Sequence, residues 1–192
     1  MRALFILFGL MIITPVFGEM IYLESGHDVA FYTKLRFDYA AQKNYSPDWV
    51  SSDERKAIVT SYKNGDIEQT IKQSQAWLEK VPVDAEVYLM VSMCMKEKGD
   101  LKSYCQCIAP FYGLLQSITA TGDGKSQETA FKVISISEEY FLLYEVGAKL
   151  KRQSLVGHCD KMEVERQGGK EYTFYFDVSV SLKATAKEMG EK

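Results

Sequence analysis

Two Gly-Asp breaks at a fixed distance constrain the fold of this chain more than any other feature. Gly65-Asp66 and Gly99-Asp100 stand 34 residues apart, in a segment where apolar residues recur at helical spacing. The clearest run follows the i, i+3, i+4, i+7, i+8 pattern of one helix face and consists of Val87, Met90, Val91, Cys94 and Met95. The pattern predicts helical hairpins over residues 51–118, with a turn at each break.

Capping residues predict where the first two of these helices begin. Ser51 and Glu54 have the spacing of a capping box, which opens a helix that runs to about Lys63. Asp66 can cap the next helix, with Gln69 at its third position.

Prolines and a further aspartate mark the remaining helix ends. Val81-Pro82 ends the second helix, and Asp84 can cap the third. The fourth begins at Leu101. Pro110 has no amide hydrogen, so it should kink that helix or begin a new one.

A 34-residue period is typical of tetratricopeptide helix pairs. Pro82 falls where such a repeat places its terminal proline, and Trp77 falls on a large apolar position of the second helix. Thr70 and Tyr104 stand where the repeat has small residues, and the chain holds fewer than two full units. We therefore expect hairpins packed like tetratricopeptide units rather than a peptide-binding array, because stacked repeats normally need three or more units.

The pattern changes after a polar loop at residues 120–126. Residues 129–136 are β-branched and aromatic and predict a short strand. Ser135 with Glu138 can cap a following helix that is apolar on nearly every face and therefore buried. The predicted fold class is α+β: tetratricopeptide-like helical hairpins, then a small antiparallel sheet with one helix packed on it.

A β-hairpin follows in residues 162–180, where even positions from Tyr172 to Val180 are apolar. A two-residue turn at Gly168-Gly169 would place Val164 on the polar face. A three-residue loop at 167–169 pairs Val164 with Tyr172 and Met162 with Phe174, which keeps the apolar face together. We predict the three-residue loop, with Gly169 in the left-handed conformation.

Residues 1–18 have the features of a cleavable signal peptide. Arg2 precedes an apolar stretch that ends at Pro15, and Val16 and Gly18 are small enough for cleavage before Glu19. The stretch is short for a bilayer core of about 30 Å, although a retained anchor is the alternative. We expect a periplasmic or secreted product of residues 19–192, a single α+β domain with residues 129–181 as strand, helix and hairpin and no membrane span after cleavage.

The charge balance argues against nucleic acid as a partner. Removal of residues 1–18 leaves 22 basic and 26 acidic residues, a net charge of −4, without a basic stripe. The expected partner is an envelope or extracellular protein.

The four cysteines, Cys94, Cys105, Cys107 and Cys159, all follow the predicted cleavage site. Cys94 and Cys105 stand at equal distances from the Gly99-Asp100 turn, so their β-carbons could approach bonding distance across a helical hairpin. A Cys94–Cys105 disulfide is one prediction, and two reduced cysteines packed as small hydrophobes are the other. Zinc binding through Cys107, His158 and Cys159 fits no standard ligand spacing, so no metal is predicted.

No catalytic motif is complete. The ATGDGKS loop resembles a phosphate-binding loop, but that motif requires glycine where Thr119 stands. Glu138 and Glu139 are adjacent and diverge on a helix, so they cannot act as one carboxylate pair. We predict no catalytic residue and no cofactor.

The chain resembles a family of exported bacterial proteins labelled domain of unknown function 4919. The resemblance rests on FYTKLRFDYAAQKNYSPDW, the central Gly-Asp break, TGDGKSQETAFKVISISEEY and CDKMEVERQGGKEYTFYFDV. It implies a single exported domain without an established activity, and the cysteines are not part of the family pattern. Its densest parts point to a set of candidate binding residues: Gly122, Asp123, Gly124, Lys125, Ser126, Glu138, Glu139, Asp160 and Asp177.

Two hypotheses follow for function. The first is a non-catalytic binding or scaffold protein that presents a helical-hairpin surface to a partner. The alternative is a hydrolase or small-ligand-binding protein, with a polar site between the helices and the sheet that uses aspartate, glutamate and tyrosine side chains.

Overall fold

Helices occupy the amino-terminal part of the protein and a sheet most of the remainder. A computed structural model describes residues 28–190; the predicted signal peptide lies outside them. The helices are α1 (Val29–Ala40), α2 (Asp53–Lys63), α3 (Ile67–Lys80), α4 (Ala85–Glu97), α5 (Leu101–Thr119), α6 (Ile136–Glu145) and α7 (Ser179–Gly190), with a 3-10 turn at Trp49–Ser51. The strands are β1 (Phe131–Lys132), β2 (Ala148–Val156), β3 (Cys159–Arg166) and β4 (Lys170–Asp177). The α+β prediction is confirmed.

The two Gly-Asp turns are copies of each other at the level of single hydrogen bonds. Gly65 and Gly99 both have left-handed backbone angles, with φ of 73° and 75°. Asp66 Oδ1 accepts from Gln69 N at 3.1 Å, and Asp100 Oδ1 accepts from Ser103 N at 3.0 Å. The hairpins α2–α3 and α4–α5 therefore share one turn design, while the tetratricopeptide comparison stays a prediction.

One predicted helix start is wrong. The hydroxyl of Ser51 donates to Asp48 at 2.6 Å instead of capping, so α2 begins one residue later, after Ser52. Of the two alternatives at Pro110, the new helix is excluded, because α5 continues through it to Thr119, and the kink stays a prediction. The caps predicted at Asp66, Asp84 and Ser135 are confirmed by hydrogen bonds to the amides three residues later.

α1 packs on α5 at a glycine. A Cβ atom at Gly113 would lie 2.1 Å from the ring of Tyr32, so only glycine lets the two helices approach this closely. Tyr32 is buried there in the helical core, together with Val87, Val91 and Phe111. Since α2, α3, α4 and α5 also pack in sequence order, α1 closes the α5 end of the helical layer.

The sheet is mixed, with strand order β1-β4-β3-β2. β3 and β4 form the predicted hairpin: Val164 pairs with Tyr172 and Met162 with Phe174, and Gly169 has a φ of 76°. The strand expected at 129–136 is reduced to β1, which runs parallel to β4. The expected antiparallel sheet is thus correct for three strands of the four.

Three parts of the carboxy-terminal half differ from the sequence expectation. The helix after Ser135 was expected to continue to Leu150, but it ends at Glu145, and the chain turns at Gly147 into β2. β4 ends at Asp177, and the residues expected to extend it to Val180 begin α7. α6 is also less buried than expected, since Tyr140 and Tyr144 are 44% and 75% exposed.

α6 joins the two halves of the protein. Its Phe141 packs edge to face against Phe111 of α5 at 5.4 Å and belongs to the helical core. The next two residues, Leu142 and Leu143, belong to the sheet core with Met162. Within residues 28–190, no helix is both long and apolar enough to cross a membrane.

Candidate functional site

The polar loop between α5 and β1 is held in shape by its own side chains. Asp123 Oδ1 accepts hydrogen bonds from the Thr129 hydroxyl at 2.6 Å and from Lys125 N at 3.1 Å. These bonds, with the Thr129 hydroxyl first, lower the pKa of Asp123 to about 2. Ser126 Oγ lies 3.2 Å from the same hydroxyl. Three predicted binding residues, Asp123, Lys125 and Ser126, therefore build the loop itself.

Two glycines allow this loop to sit against the sheet. A Cβ atom at Gly122 would lie 2.2 Å from the carbonyl oxygen of Thr129. Gly124 has a φ of 67°, and its carbonyl oxygen accepts from Tyr175 N of β4 at 2.8 Å. The loop therefore forms a fixed wall beside the sheet. This conformation agrees with the prediction of a turn rather than a phosphate-binding loop.

An open cleft of about 460 Å³ lies beside this wall; we call it the loop cleft. Its lining comes from the loop, from β1 and from the ends of β3 and β4, and consists of Thr121, Gln127, Glu128, Ala130, Lys132, His158 and Asp177. Cross-strand partners share one face of a sheet. Lys132 pairs with Asp177, and Asp177 pairs with Cys159, so the loop cleft lies on the face opposite Met162 and the sheet core.

The side chains at the loop cleft are suited to hydrogen bonding rather than to nucleophilic attack. The Thr121 hydroxyl accepts from Lys132 N and donates to Ile118 O, so both of its functions are in use. Cys159 beside the cleft is fully buried, and burial raises the pKa of its thiol. A thiol of raised pKa is less often ionised and is a poorer nucleophile.

Asp177 is the one predicted binding residue in the lining of the loop cleft. Its carboxylate also starts α7, because Oδ1 accepts from Ser179 N at 3.0 Å and from the Ser179 hydroxyl at 2.5 Å. The other residues that line the cleft form no recognisable motif in the sequence. They come together only because the 127–132 segment folds back beside the ends of β3 and β4.

Glu138 and Glu139 have different environments, as their adjacent positions on a helix predicted. Glu138 forms a buried bidentate ion pair with Arg36 of α1, with Nε–Oε1 and Nη2–Oε2 distances of 2.8 and 2.6 Å. Its Oε2 also accepts from Ile134 N at 2.8 Å. Glu138 therefore joins α1 to α6.

Arg36 is a residue that the sequence did not reveal. It is fully buried and also donates to the carbonyl oxygen of Lys132 and to Ser117 Oγ, so it links α1, α5, β1 and α6. An arginine among helical tyrosines has no sequence pattern that indicates burial. Its role depends on contacts 81 to 102 residues away.

One cavity at the seam between the helical half and α6 is too small for a ligand. A cavity lined by Asp84, Glu86, Glu138 and Phe141 has a volume of about 10 Å³, enough for one water molecule at most. Asp84 accepts there from Arg55 Nε at 3.0 Å and from Trp77 Nε1 at 2.9 Å. These contacts hold α2, α3 and α4 together.

Glu139 points to the other side of α6, toward the sheet. It is fully buried, and within residues 28–190 neither of its carboxylate oxygens has a hydrogen-bond donor. Burial first, and then the charge of Asp160, raise the pKa of Glu139 to about 9. The structure thus brings together two of the predicted residues, Glu139 and Asp160, and separates them from the loop cleft.

All four cysteines are free thiols in the structure. Cys94 is buried and Cys105 is exposed, and the Cys94–Cys105 disulfide stays a prediction. The buried face of α5 is formed instead by Cys107, Phe111 and Leu114, and Leu101 is 65% exposed. Within the described chain, no group of three or more His, Cys, Asp or Glu side chains is placed to hold a metal.

The fold and these sites define an α+β protein in which two helical hairpins are joined through one helix to a mixed four-stranded sheet. The chain belongs to the family described as Domain of unknown function (DUF4919), whose profile matches residues 27–187. The resemblance stated from the sequence is thereby confirmed. No curated protein and no solved structure gives a significant match.

Proposed function

We propose that this chain is an exported, non-catalytic binding protein that holds a polar segment of an envelope or extracellular partner in the loop cleft. The observation that carries the proposal is the cleft itself. Its volume of about 460 Å³ is in the range of ligand sites, and its walls are fixed by the hydrogen bonds of Asp123 and Thr129. A preformed site of this kind binds without first ordering its own loop.

The lining indicates what the partner presents. Lys132 and His158 offer hydrogen-bond donors. Glu128 offers a negatively charged carboxylate, which accepts hydrogen bonds. A partner segment that carries both donors and acceptors complements this mixed lining better than an apolar one does. Since the cleft lies on the face away from the sheet core, binding there leaves the core undisturbed.

Two observations favour binding over the alternative, a hydrolase with a site between helices and sheet. The seam cavity holds one water molecule at most, so a substrate has no space there. At the loop cleft, the Thr121 hydroxyl is fully engaged and the Cys159 thiol is buried with a raised pKa. Neither the hydroxyl nor the thiol is activated as a nucleophile.

Affinity capture with matched variants tests the proposal. The wild-type protein, a cleft variant Lys132→Glu/His158→Ala and a control Lys72→Glu are each used to capture proteins from envelope and secreted fractions. Lys72 is exposed on α3 and does not line the cleft. We expect at least one protein to be retained by the wild type and by Lys72→Glu but lost with the cleft variant, whose thermal unfolding should match the wild type. Identical retention by all three proteins, or no retention above background, would contradict a binding role for the cleft.

A further inference from the structure

β2 forms an edge of the sheet. The strand order β1-β4-β3-β2 gives it β3 on one side and, within residues 28–190, no strand on the other. It pairs with β3 along its length, with one register shift between Leu150 and Arg152. An edge strand directs the backbone N–H and C=O groups of alternate residues away from the sheet. In the described part of the chain, no hydrogen bond occupies these outward groups of β2, so they are available to one more strand.

α6 places an apolar stripe beside this edge. Ile136, Tyr140 and Tyr144 recur at every fourth position, on one side of the helix, and are 48%, 44% and 75% exposed. The Tyr140 hydroxyl donates to Gln153 Oε1 of β2 at 2.8 Å, which holds the middle of the stripe next to the strand. Leu155 of β2 is exposed as well. A strand added to β2 would therefore bury apolar side chains against α6 and Leu155.

The two faces of β2 differ in chemistry. Cross-strand partners share one face of a sheet. Gln153 pairs with Met162 of the sheet core, which places Gln153 and, two residues further on, Leu155 on the inner face with α6. Arg152 and Lys149 pair with glutamates of β3 that lie on the outer face. An added strand thus meets apolar groups on one side and cations on the other.

The positive charge of β2 is only partly neutralised by the protein itself. The strand contains Lys149, Lys151 and Arg152 and no acidic residue. Lys151 Nζ lies 3.2 and 2.7 Å from carboxylate oxygens of Glu165 and Glu171. Lys149 and Arg152 are exposed, and neither forms an ion pair with another described residue. These two cations remain available to acidic side chains of a partner.

A second copy of the chain is the less suitable partner for this edge. The three basic residues of β2 lie within four consecutive positions. Antiparallel pairing of two β2 strands about their centres would bring the basic residues of one copy beside those of the other, and like charges on neighbouring strands are destabilising. Basic side chains and bulges are common means by which edge strands avoid pairing with themselves. The same charges favour an acidic strand.

We propose that β2 docks an extended segment of a partner protein, which joins the sheet as an additional strand. The segment alternates acidic and apolar residues. Its acidic side chains face Lys149 and Arg152, and its apolar side chains pack on Leu155 and Tyr144. Backbone hydrogen bonds to β2 hold the segment, and the alternation of its side chains sets the register. The proposal does not depend on the loop cleft, because no residue that lines the cleft belongs to β2.

Synthetic peptides with alternating Glu and Val test the proposal in titrations of the folded wild-type protein. The first control has the same composition with all Glu before all Val, and the second has Lys in place of Glu. Loss of the charge pairs or of the apolar face should weaken binding of each control by about 10-fold or more. Binding of the alternating acidic peptide should also weaken as NaCl is raised, because the cations are exposed.

Backbone methylation tests whether the peptide joins the sheet. Two versions of the acidic peptide are N-methylated, one at every Glu and the other at every Val. Only one set of amides can face β2, because alternate residues of a strand direct their N–H groups to opposite edges. One methylated peptide should therefore bind and the other should not.

Protein variants locate the site. Lys149→Gln/Arg152→Gln and Tyr144→Ser should each weaken binding of the acidic peptide. The matched controls Lys72→Gln on α3 and Tyr112→Ser on α5 change exposed residues of the same types and should bind like the wild type. All these side chains are exposed, so the variants should fold, and thermal unfolding verifies this.

The cleft variant Lys132→Glu/His158→Ala should still bind the acidic peptide, which separates this proposal from the function proposed for the loop cleft. Four results would overturn the proposal: no binding of the acidic peptide, equal binding of its two sequence controls, equal binding of the two methylated peptides, or dimers of the wild type that exclude the peptide. Light scattering at increasing protein concentration measures the last of these.

Discussion

Burial of Glu139 makes the stability of the protein depend on pH in a direction opposite to that of an ion-paired carboxylate. Its pKa is about 9 in the folded protein and close to 4.5 when unfolded. Between these values the unfolded chain loses a proton that the folded protein keeps. Unfolding therefore releases protons, and the free energy of unfolding falls as pH rises from about 4.5 to 9. This loss of stability is absent below the pKa that Glu139 has in the unfolded chain.

Glu139→Gln should remove this pH dependence, because the amide does not ionise. Relative to the variant, the wild type is expected to lose up to about 1.4 kcal/mol of stability for each pH unit in that window. Urea unfolding at pH 5, 7 and 8.5 measures the difference. If the two proteins show parallel pH profiles, Glu139 is ionised in the folded state and our account of its burial is wrong.

The thiols are the second feature at the residue scale. Burial, followed by the charge of Glu97, raises the pKa of Cys94, and Cys107 is fully buried. Cys105 is exposed. The four thiols therefore differ in access to reagent.

We expect one fast-reacting thiol in the native protein and four in denaturant, measured with a chromogenic disulfide reagent. Cys105→Ser should abolish the fast reaction, and Cys94→Ser should preserve it. Two thiols in denaturant would instead show that one disulfide forms and would overturn the free-thiol arrangement.

How far single residues could be predicted depended on whether their partners are near in sequence. Asp66 and Asp84 act on amides three residues away, so a local pattern was enough. The resemblance to the family pointed to Glu139 and Asp160 without indicating that they meet. Arg36 was missed because its contacts exist only after the two halves pack. The residues that line the loop cleft beside Asp177 were missed because they come together only when β1 pairs with β4.

At the scale of elements, the β3–β4 hairpin was predicted in its correct register because only one loop length buries the apolar side chains together. β2 was missed because most of its side chains are exposed at the sheet edge, so no alternation of apolar and polar residues marks it. α7 was missed because Val178 and Val180 continue the alternation of β4. The Asp177 carboxylate, which accepts from Ser179, ends the strand and starts the helix instead.

Gly113→Ala tests the packing of α1 on α5. The added methyl would meet the ring of Tyr32 at 2.1 Å, and overpacking of a buried contact costs about 1–3 kcal/mol. Gly190→Ala is the matched control, since a Cβ atom there meets nothing within 4 Å. Chemical denaturation should show a loss for Gly113→Ala and little change for Gly190→Ala. Equal stability of Gly113→Ala and the wild type would contradict the close approach of the helices.

At the scale of the whole molecule, the proposed export of the protein depends on residues 1–18, the predicted signal peptide. We expect exported material to begin at Glu19, because Val16 and Gly18 fit the small positions of a signal-peptidase site. Intact mass spectrometry measures this directly. Gly18→Trp should block processing, and Phe17→Tyr, at the position between the two small residues, should not. A different first residue would disprove the cleavage site.

The duplicated turn also has a consequence for how the protein can change in length. Residues 67–100 begin after one Gly-Asp joint and end with another whose backbone angles and capping bond are the same. If a second copy of this segment were inserted after Asp66, each of its ends would be connected through a Gly-Asp turn of the existing kind. α1 would still close the far end against α5. We therefore expect that the helical layer can be lengthened by a whole unit of 34 residues through turns of the existing kind.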